Sequence, residues 1–182
     1  MRGSVRLVAF AAVLLLGGGC LQRAALPPLA GPVSSPPAEL LALQVARYGS
    51  GEPFDLAAER GNVVLLDVWA TWCEPCVEAL PLYAHLQETY GARGLRVYAL
   101  NVDEDEAVLP AFLQAHRVKL PVLRDPNAAL SERLLKVKVM PTSFLVDRRG
   151  VVRHVHEGFS ETFLPLYERE LEALLSEGEA AR

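Results

Sequence analysis

Cysteine is scarce in this chain, with three residues among 182, at positions 20, 73 and 76. A structural zinc site takes four ligands, so the close pair Cys73 and Cys76 would need two more. Cys20 lies far away near the N-terminus. His154 and His156 fall on a stretch that reads as a strand and are expected on opposite faces, and His85 and His116 carry no motif. All four histidines are therefore expected at the surface, and no metal is expected. Aromatic residues make up only 7% and the net charge is −4. With neither a basic patch nor stacked aromatics, a nucleic-acid partner is not expected. The apolar run at residues 7–16 has ten residues, short of the roughly 20 that a membrane-spanning helix needs. No internal repeat is present.

What remains is ordinary in bulk and specific in one stretch. The chain is 51% hydrophobic and 22% charged, as globular proteins are, and its length allows one domain plus extras. The rest is organised around residues 67–81, DVWATWCEPCVEALP. Ahead of it, Val63, Val64, Leu65 and Leu66 form a continuous apolar run, as in a strand buried on both faces. Behind it, Ala79, Leu80, Leu82, Tyr83 and Leu86 recur at helical spacing. Cys73 is thus placed near a helix N-terminus, where unpaired N–H groups and the helix dipole favour a thiolate. Cys76 returns to disulfide distance on the first turn, and Pro75 suits that turn because its missing N–H has no partner to lose there. A thiolate beside a more sheltered thiol is what reversible dithiol–disulfide exchange requires.

The chain resembles the TlpA/ResA-like thiol–disulfide oxidoreductases, a thioredoxin-fold branch of cytochrome c biogenesis type. The resemblance spans residues 51–176 and rests on Phe54-Asp55-Leu56, on VVLLDVWATWCEPC at 63–76, on Pro81, and on MPTSFLVDRRGVV at 140–152. It implies an α/β thioredoxin fold, with a central mixed sheet flanked by helices, a βα insertion and an N-terminal extension. Along the chain, strands are expected at 40–47, 62–70, 95–102, 118–123, 142–146 and 151–156. Residues 52–61 read as a connector with a helical turn over 56–60. Helices are expected at 73–90, kinked at Pro81 and ended by Gly91 and Gly94, then at 103–116, 126–135 and 159–175. Residues 176–182 are expected to fray.

Residues 1–20 read as a secretory signal, with Arg2 and Arg6 ahead of the apolar run. Gly17-Gly18-Gly19-Cys20 resembles a lipobox, with Gly17 standing where lipoboxes prefer Leu, and Cys20 would be lipidated. Lipidation also accounts for the cysteine left over from the redox pair. Residues 21–40 are proline-rich and read as a semi-extended linker, and residues 41–182 as the thioredoxin-like domain. The expected location is the cell envelope, on the outer side of the cytoplasmic membrane or in the periplasm.

The resemblance also assigns roles. Cys73 attacks and Cys76 resolves. Asp67, a carboxylate in an apolar strand, would be the buried acid that relays protons to Cys76; many relatives carry Asn there. Glu74 opposes the helix dipole and, with Asp67, disfavours thiolates, which leans the pair towards a reductant. Pro141 would be a cis-proline beside the sulfurs, turning the Met140 backbone towards an extended substrate. Trp72, Pro75, Met140 and Thr142 would contact substrate, Trp69 would be core, and Glu104 would be an accessory proton relay. No cofactor beyond the dithiol is implied. The implied partners are exported proteins with disulfides, apocytochrome c among them, and an upstream membrane electron donor; the protein is expected as a monomer. An oxidase or isomerase uses the same residues. Copper carriers of this fold resemble the chain less, since they use C-x-x-x-C and a distal His.

Overall fold

The computed structural model describes residues 42–177. The signal, Cys20, the linker, the first residues of the expected N-terminal strand and the tail at 178–182 lie outside the described residues. The centre of the sheet is β3 (Val63–Trp69), all seven residues buried. It runs parallel to β4 (Leu95–Asn101) and antiparallel to β6 (Thr142–Val146). β7 (Val152–Glu157) pairs with β6 on one side. On the other side β5 (Val122–Arg124) lies parallel to β4, followed by β1 (Gln44–Arg47) and β2 (Pro53–Asp55), which gives the order β2-β1-β5-β4-β3-β6-β7. The mixed sheet and its helices are the expected α/β architecture.

β3 hands over to β4 through α1 (Glu74–Tyr90), the kind of helical connection that parallel neighbours need. The buried face of α1 is Cys76, Ala79, Leu80, Tyr83, Leu86 and Tyr90, spaced three and four apart as one helical stripe must be. Pro81 lies on the exposed side, and the helix runs through it to Tyr90. A short 3-10 turn at Gly91–Arg93 follows, and Gly94 turns the chain into β4 with φ 98°. A Cβ there would meet Nη1 of Arg148 at 2.9 Å, and that guanidinium donates to the carbonyls of Gly61 and Arg93 at 2.7 and 3.0 Å.

Three expectations need correction. The connector at 52–61 contains a strand, β2, whose Phe54 packs against Tyr98 with ring centroids 4.6 Å apart. Three residues are too few to show alternation in sequence. The helix expected at 103–116 is α2 (Leu109–Ala115) behind a 3-10 turn capped by Asp105. The helix expected at 126–135 shrinks to α3 (Ala129–Arg133), because Asn127 and Ala128 take left-handed φ values of 60° and 54°. The buried Asp125 carboxylate accepts from the backbone N–H groups of Leu130 and Ser131 at 3.0 and 2.6 Å, capping α3 from upstream. The β6–β7 hairpin forms at the expected turn, and α4 (Leu164–Glu177) closes the domain with Tyr167, Leu171, Leu174 and Leu175 inward.

Candidate active site

Cys73 caps α1 with extended backbone angles, and Pro75 lies in the first turn. Its carbonyl accepts from the N–H groups of Cys76 and Val77 at 3.0 and 3.1 Å, which winds the first turn tightly enough to bring the two sulfurs together. Cys73 and Cys76 form a disulfide, with Sγ–Sγ 2.01 Å and Cα–Cα 5.2 Å. Cys73 is 7% exposed and Cys76 0%, so an incoming sulfur can reach only Cys73. Glu74 and Pro75 are exposed on the same rim.

The loop that delivers Cys73 is fastened from β4. Thr71 donates its N–H and its hydroxyl to the two oxygens of Asp103, both at 3.0 Å. Asp103 also accepts from Nδ2 of Asn101 at 2.6 Å. Behind them the buried Arg124 donates through Nη2 to the Asp103 carbonyl at 2.9 Å and through Nη1 to Oδ1 of Asn101. Glu104, one residue on, is exposed. In sequence Asp103 reads only as the first of the residues 103–105 that cap a helix, and Arg124 carries no signal. Asp103→Ala strips two bonds from the cysteine loop. It is expected to lower the unfolding free energy by about 1.5–3 kcal/mol, the range for hydrogen bonds to a charged group; a urea midpoint equal to the parent's would show the clamp to be idle.

Trp72, next to Cys73 in the chain, is 69% exposed, and Val139, ahead of β6, is 49% exposed, two large apolar side chains facing solvent. Met140 is half-buried and its bond to the buried Pro141 is cis. Thr142 is buried and donates its hydroxyl to the Val139 carbonyl at 2.6 Å, so its side chain holds the loop rather than facing outward. Trp69 is fully buried, as expected, with its ring 5.4 Å from that of Phe112.

Asp67 is fully buried, and neither carboxylate oxygen has a hydrogen-bond partner. Burial pushes its carboxyl well above the ordinary range, and the nearby Tyr83 hydroxyl, which makes no hydrogen bond to it in this geometry, offsets only part of that. Ser143 lies directly across the β3–β6 ladder. Behind Asp67, Tyr83 and Tyr167 meet with hydroxyls 3.2 Å apart, and the Tyr167 hydroxyl lies 2.5 Å from Oγ of Ser143. Sequence reading counted Tyr83 only as core.

The histidines correct one expectation. His154 and His156 share a face: their rings stack with centroids 6.4 Å apart, and both meet Glu170, at 3.3 and 2.7 Å. Residues two apart on a strand point the same way, and His156 is buried rather than superficial. His85 and His116 are exposed. Among the described residues no group of three or more His, Cys, Asp or Glu is arranged to hold a metal ion, and no helix is long and apolar enough to cross a membrane.

Comparison with known proteins follows the same lines. The Redoxin family profile matches residues 38–175. The thiol-disulfide oxidoreductase ResA of Bacillus cereus is 33% identical over 102 residues, 56% of this chain and 58% of that one. The chain spans 64% of the length of the thioredoxin-like protein YneN of Bacillus subtilis, so it covers less than two thirds of these relatives. A Chlorobium tepidum crystal structure named for the thiol:disulfide interchange protein DsbE is 34% identical, with TM-score 0.68, covering 73% of this chain and 92% of that one. The exposed lipoprotein thioredoxin of Streptococcus pneumoniae is 26% identical, with TM-score 0.62, covering 72% of this chain and 98% of that one. The thioredoxin fold implied by the sequence is borne out.

Proposed function

Given that the chain belongs to the Redoxin family, we propose that it is an envelope thiol–disulfide oxidoreductase that reduces disulfides in exported proteins. The observation that carries the reading is a disulfide at a helix N-terminus with only its first sulfur open to solvent, beside an exposed tryptophan. In the reduced protein the Cys73 thiolate attacks one sulfur of a substrate disulfide, and the other substrate sulfur leaves as a thiolate. Cys76 gives its proton to Asp67 and attacks Cys73 Sγ. The Cys73–Cys76 disulfide forms, the second substrate thiolate departs, and two electrons have passed to the substrate. A dithiol donor at the membrane then restores the pair.

Trp72, Val139 and Met140 supply the apolar surface against which an extended peptide docks, with Pro75 at its edge. Pro141 borders the sulfurs, and Thr142 braces the loop. Glu74 adds negative charge beside the thiolate and favours the disulfide state. Glu104, exposed near the cysteine loop, is kept as an accessory proton relay. The motif resemblance at residues 63–76 and 140–152 implies the haem-binding cysteine pair of apocytochrome c as substrate. Cys20 as a lipid anchor, with residues 21–40 as a spacer, places the domain at the membrane; the pneumococcal relative is an exposed lipoprotein.

The test is the reduction potential of the Cys73–Cys76 couple, equilibrated against glutathione or dithiothreitol. A value near or below about −250 mV is expected, as for thioredoxin-like reductants. A value of about −120 to −180 mV would match oxidases and isomerases and overturn the reading.

A further inference from the structure

Asp67 has no hydrogen-bond partner, yet a hydrogen-bonded row of hydroxyls lies beside it. Ser143 faces it from β6, Tyr83 from α1 and Tyr167 from α4, while β4 offers only Ala99 in register. Farther out, Glu170 lies beside Tyr167 and is held by His156, whose ring packs 4.6 Å from that of Tyr167. The three hydroxyls are linked Ser143–Tyr167–Tyr83, at 2.5 and 3.2 Å, and Tyr83 is the member next to the carboxylate.

We propose that Tyr83 is a positioning residue for Asp67: its hydroxyl, backed by Tyr167 and Ser143, turns its proton towards the carboxylate whenever Asp67 is ionised, and so governs proton transfer from Cys76. The proposal rests on the reading that Asp67 takes that proton.

Each hydroxyl carries one proton and can accept another. A row of three can therefore point all its protons one way. With Asp67 ionised, Ser143 donates to Tyr167, Tyr167 to Tyr83, and Tyr83 to the carboxylate. With Asp67 protonated, the carboxylic acid donates to Tyr83 and the row reverses. No proton leaves the row in either case; the hydroxyls rotate. Both phenols are held protonated, Tyr83 by burial first and then by the Asp67 charge, Tyr167 by burial. They remain donors across the working range and never compete as bases. A donor aimed at a buried carboxylate favours its charged form and opposes desolvation. Without it, Asp67 would ionise only at higher pH, and acceptance from Cys76 would move with it.

Two-phase kinetics with an aromatic disulfide separate the steps. Reduced protein is mixed with excess dithiobis(nitrobenzoate) in a stopped-flow instrument. Attack by Cys73 releases the first thionitrobenzoate, and resolution by Cys76 releases the second. In Tyr83→Phe the pH midpoint of the second phase is expected to rise by roughly one unit, the tenfold change worth one hydrogen bond to a charged group; the first phase should be unchanged. Ser143→Ala, which leaves both rings in place, should shift the midpoint the same way by less. In an Asp67→Asn background, Tyr83→Phe should add no shift.

Superimposable profiles for Tyr83→Phe and its parent would overturn the proposal, as would a slowing equal at every pH, the mark of a merely structural role. A shift that persists in the Asp67→Asn background would also overturn it, because Tyr83 would then act without Asp67. If Asp67→Asn itself leaves the second phase unmoved, the reading of Asp67 as base falls, and the proposal with it.

Discussion

Cys76→Ser is expected to convert the catalytic cycle into a trap. Cys73 keeps its place at the N-terminus of α1 and its exposure, so it still attacks a disulfide substrate. The resolving sulfur is gone, and serine oxygen does not displace a thiolate from a disulfide. Substrate then accumulates as a covalent adduct that runs at summed mass on a non-reducing gel and collapses with dithiothreitol. Turnover should fall by about three orders of magnitude or more, the scale on which loss of one member of a covalent pair acts. Cys73→Ser should abolish both turnover and adduct, because Cys76 is fully buried and presents nothing to attack. An adduct in Cys73→Ser would reverse the assigned roles. Near-normal turnover in Cys76→Ser would remove the dithiol mechanism altogether.

The parts of this site legible in sequence are those built from neighbours in the chain. The β3 run from Val63 to Leu66 announces itself because a strand covered on both faces must be apolar at every position, and Asp67 stands out against it. The handover at Cys73 is legible because helix spacing begins at once. What escaped notice is made by tertiary contact. Tyr83 reads as one apolar position of a helix and Tyr167 is unmarked within the closing one, and only packing of α1 against α4 reveals that their hydroxyls meet. Arg124 sits in a strand of three residues, too short for an odd charge to stand out. Asn127 and Ala128 break a helix that propensity alone would continue, because the buried Asp125 carboxylate supplies another place for α3 to start. The histidine pair was misplaced by a slip in period, not by missing information.

Asp67→Asn is expected to strengthen the fold while weakening the proposed chemistry. The carboxyl is raised above its ordinary value of 3.8 by burial. The native state therefore keeps a proton that the unfolded chain releases, and by linkage stability falls as pH rises between those two values. This group's contribution is fully present below about pH 3.8 and is lost as pH rises through the higher native value. Asparagine does not titrate and escapes the loss. The gap between variant and parent should be small in acid and open at pH 8 to about 1–3 kcal/mol, because burying the charge costs more than one hydrogen bond from Tyr83 returns. Denaturant midpoints of the oxidised proteins at both pH values measure it. A gap of equal size at both would mean that Asp67 does not titrate between them. A parent more stable than the variant at pH 8 would mean that the bond from Tyr83 outweighs the cost of burying the charge. The widening gap has a mechanistic meaning as well. A native pocket that holds the proton tightly at low pH and releases it at a cost is also one that can take it back from Cys76. The desolvation that destabilises the folded chain also raises the affinity of Asp67 for the proton that Cys76 must lose, so stability and proton transfer are set by one buried group.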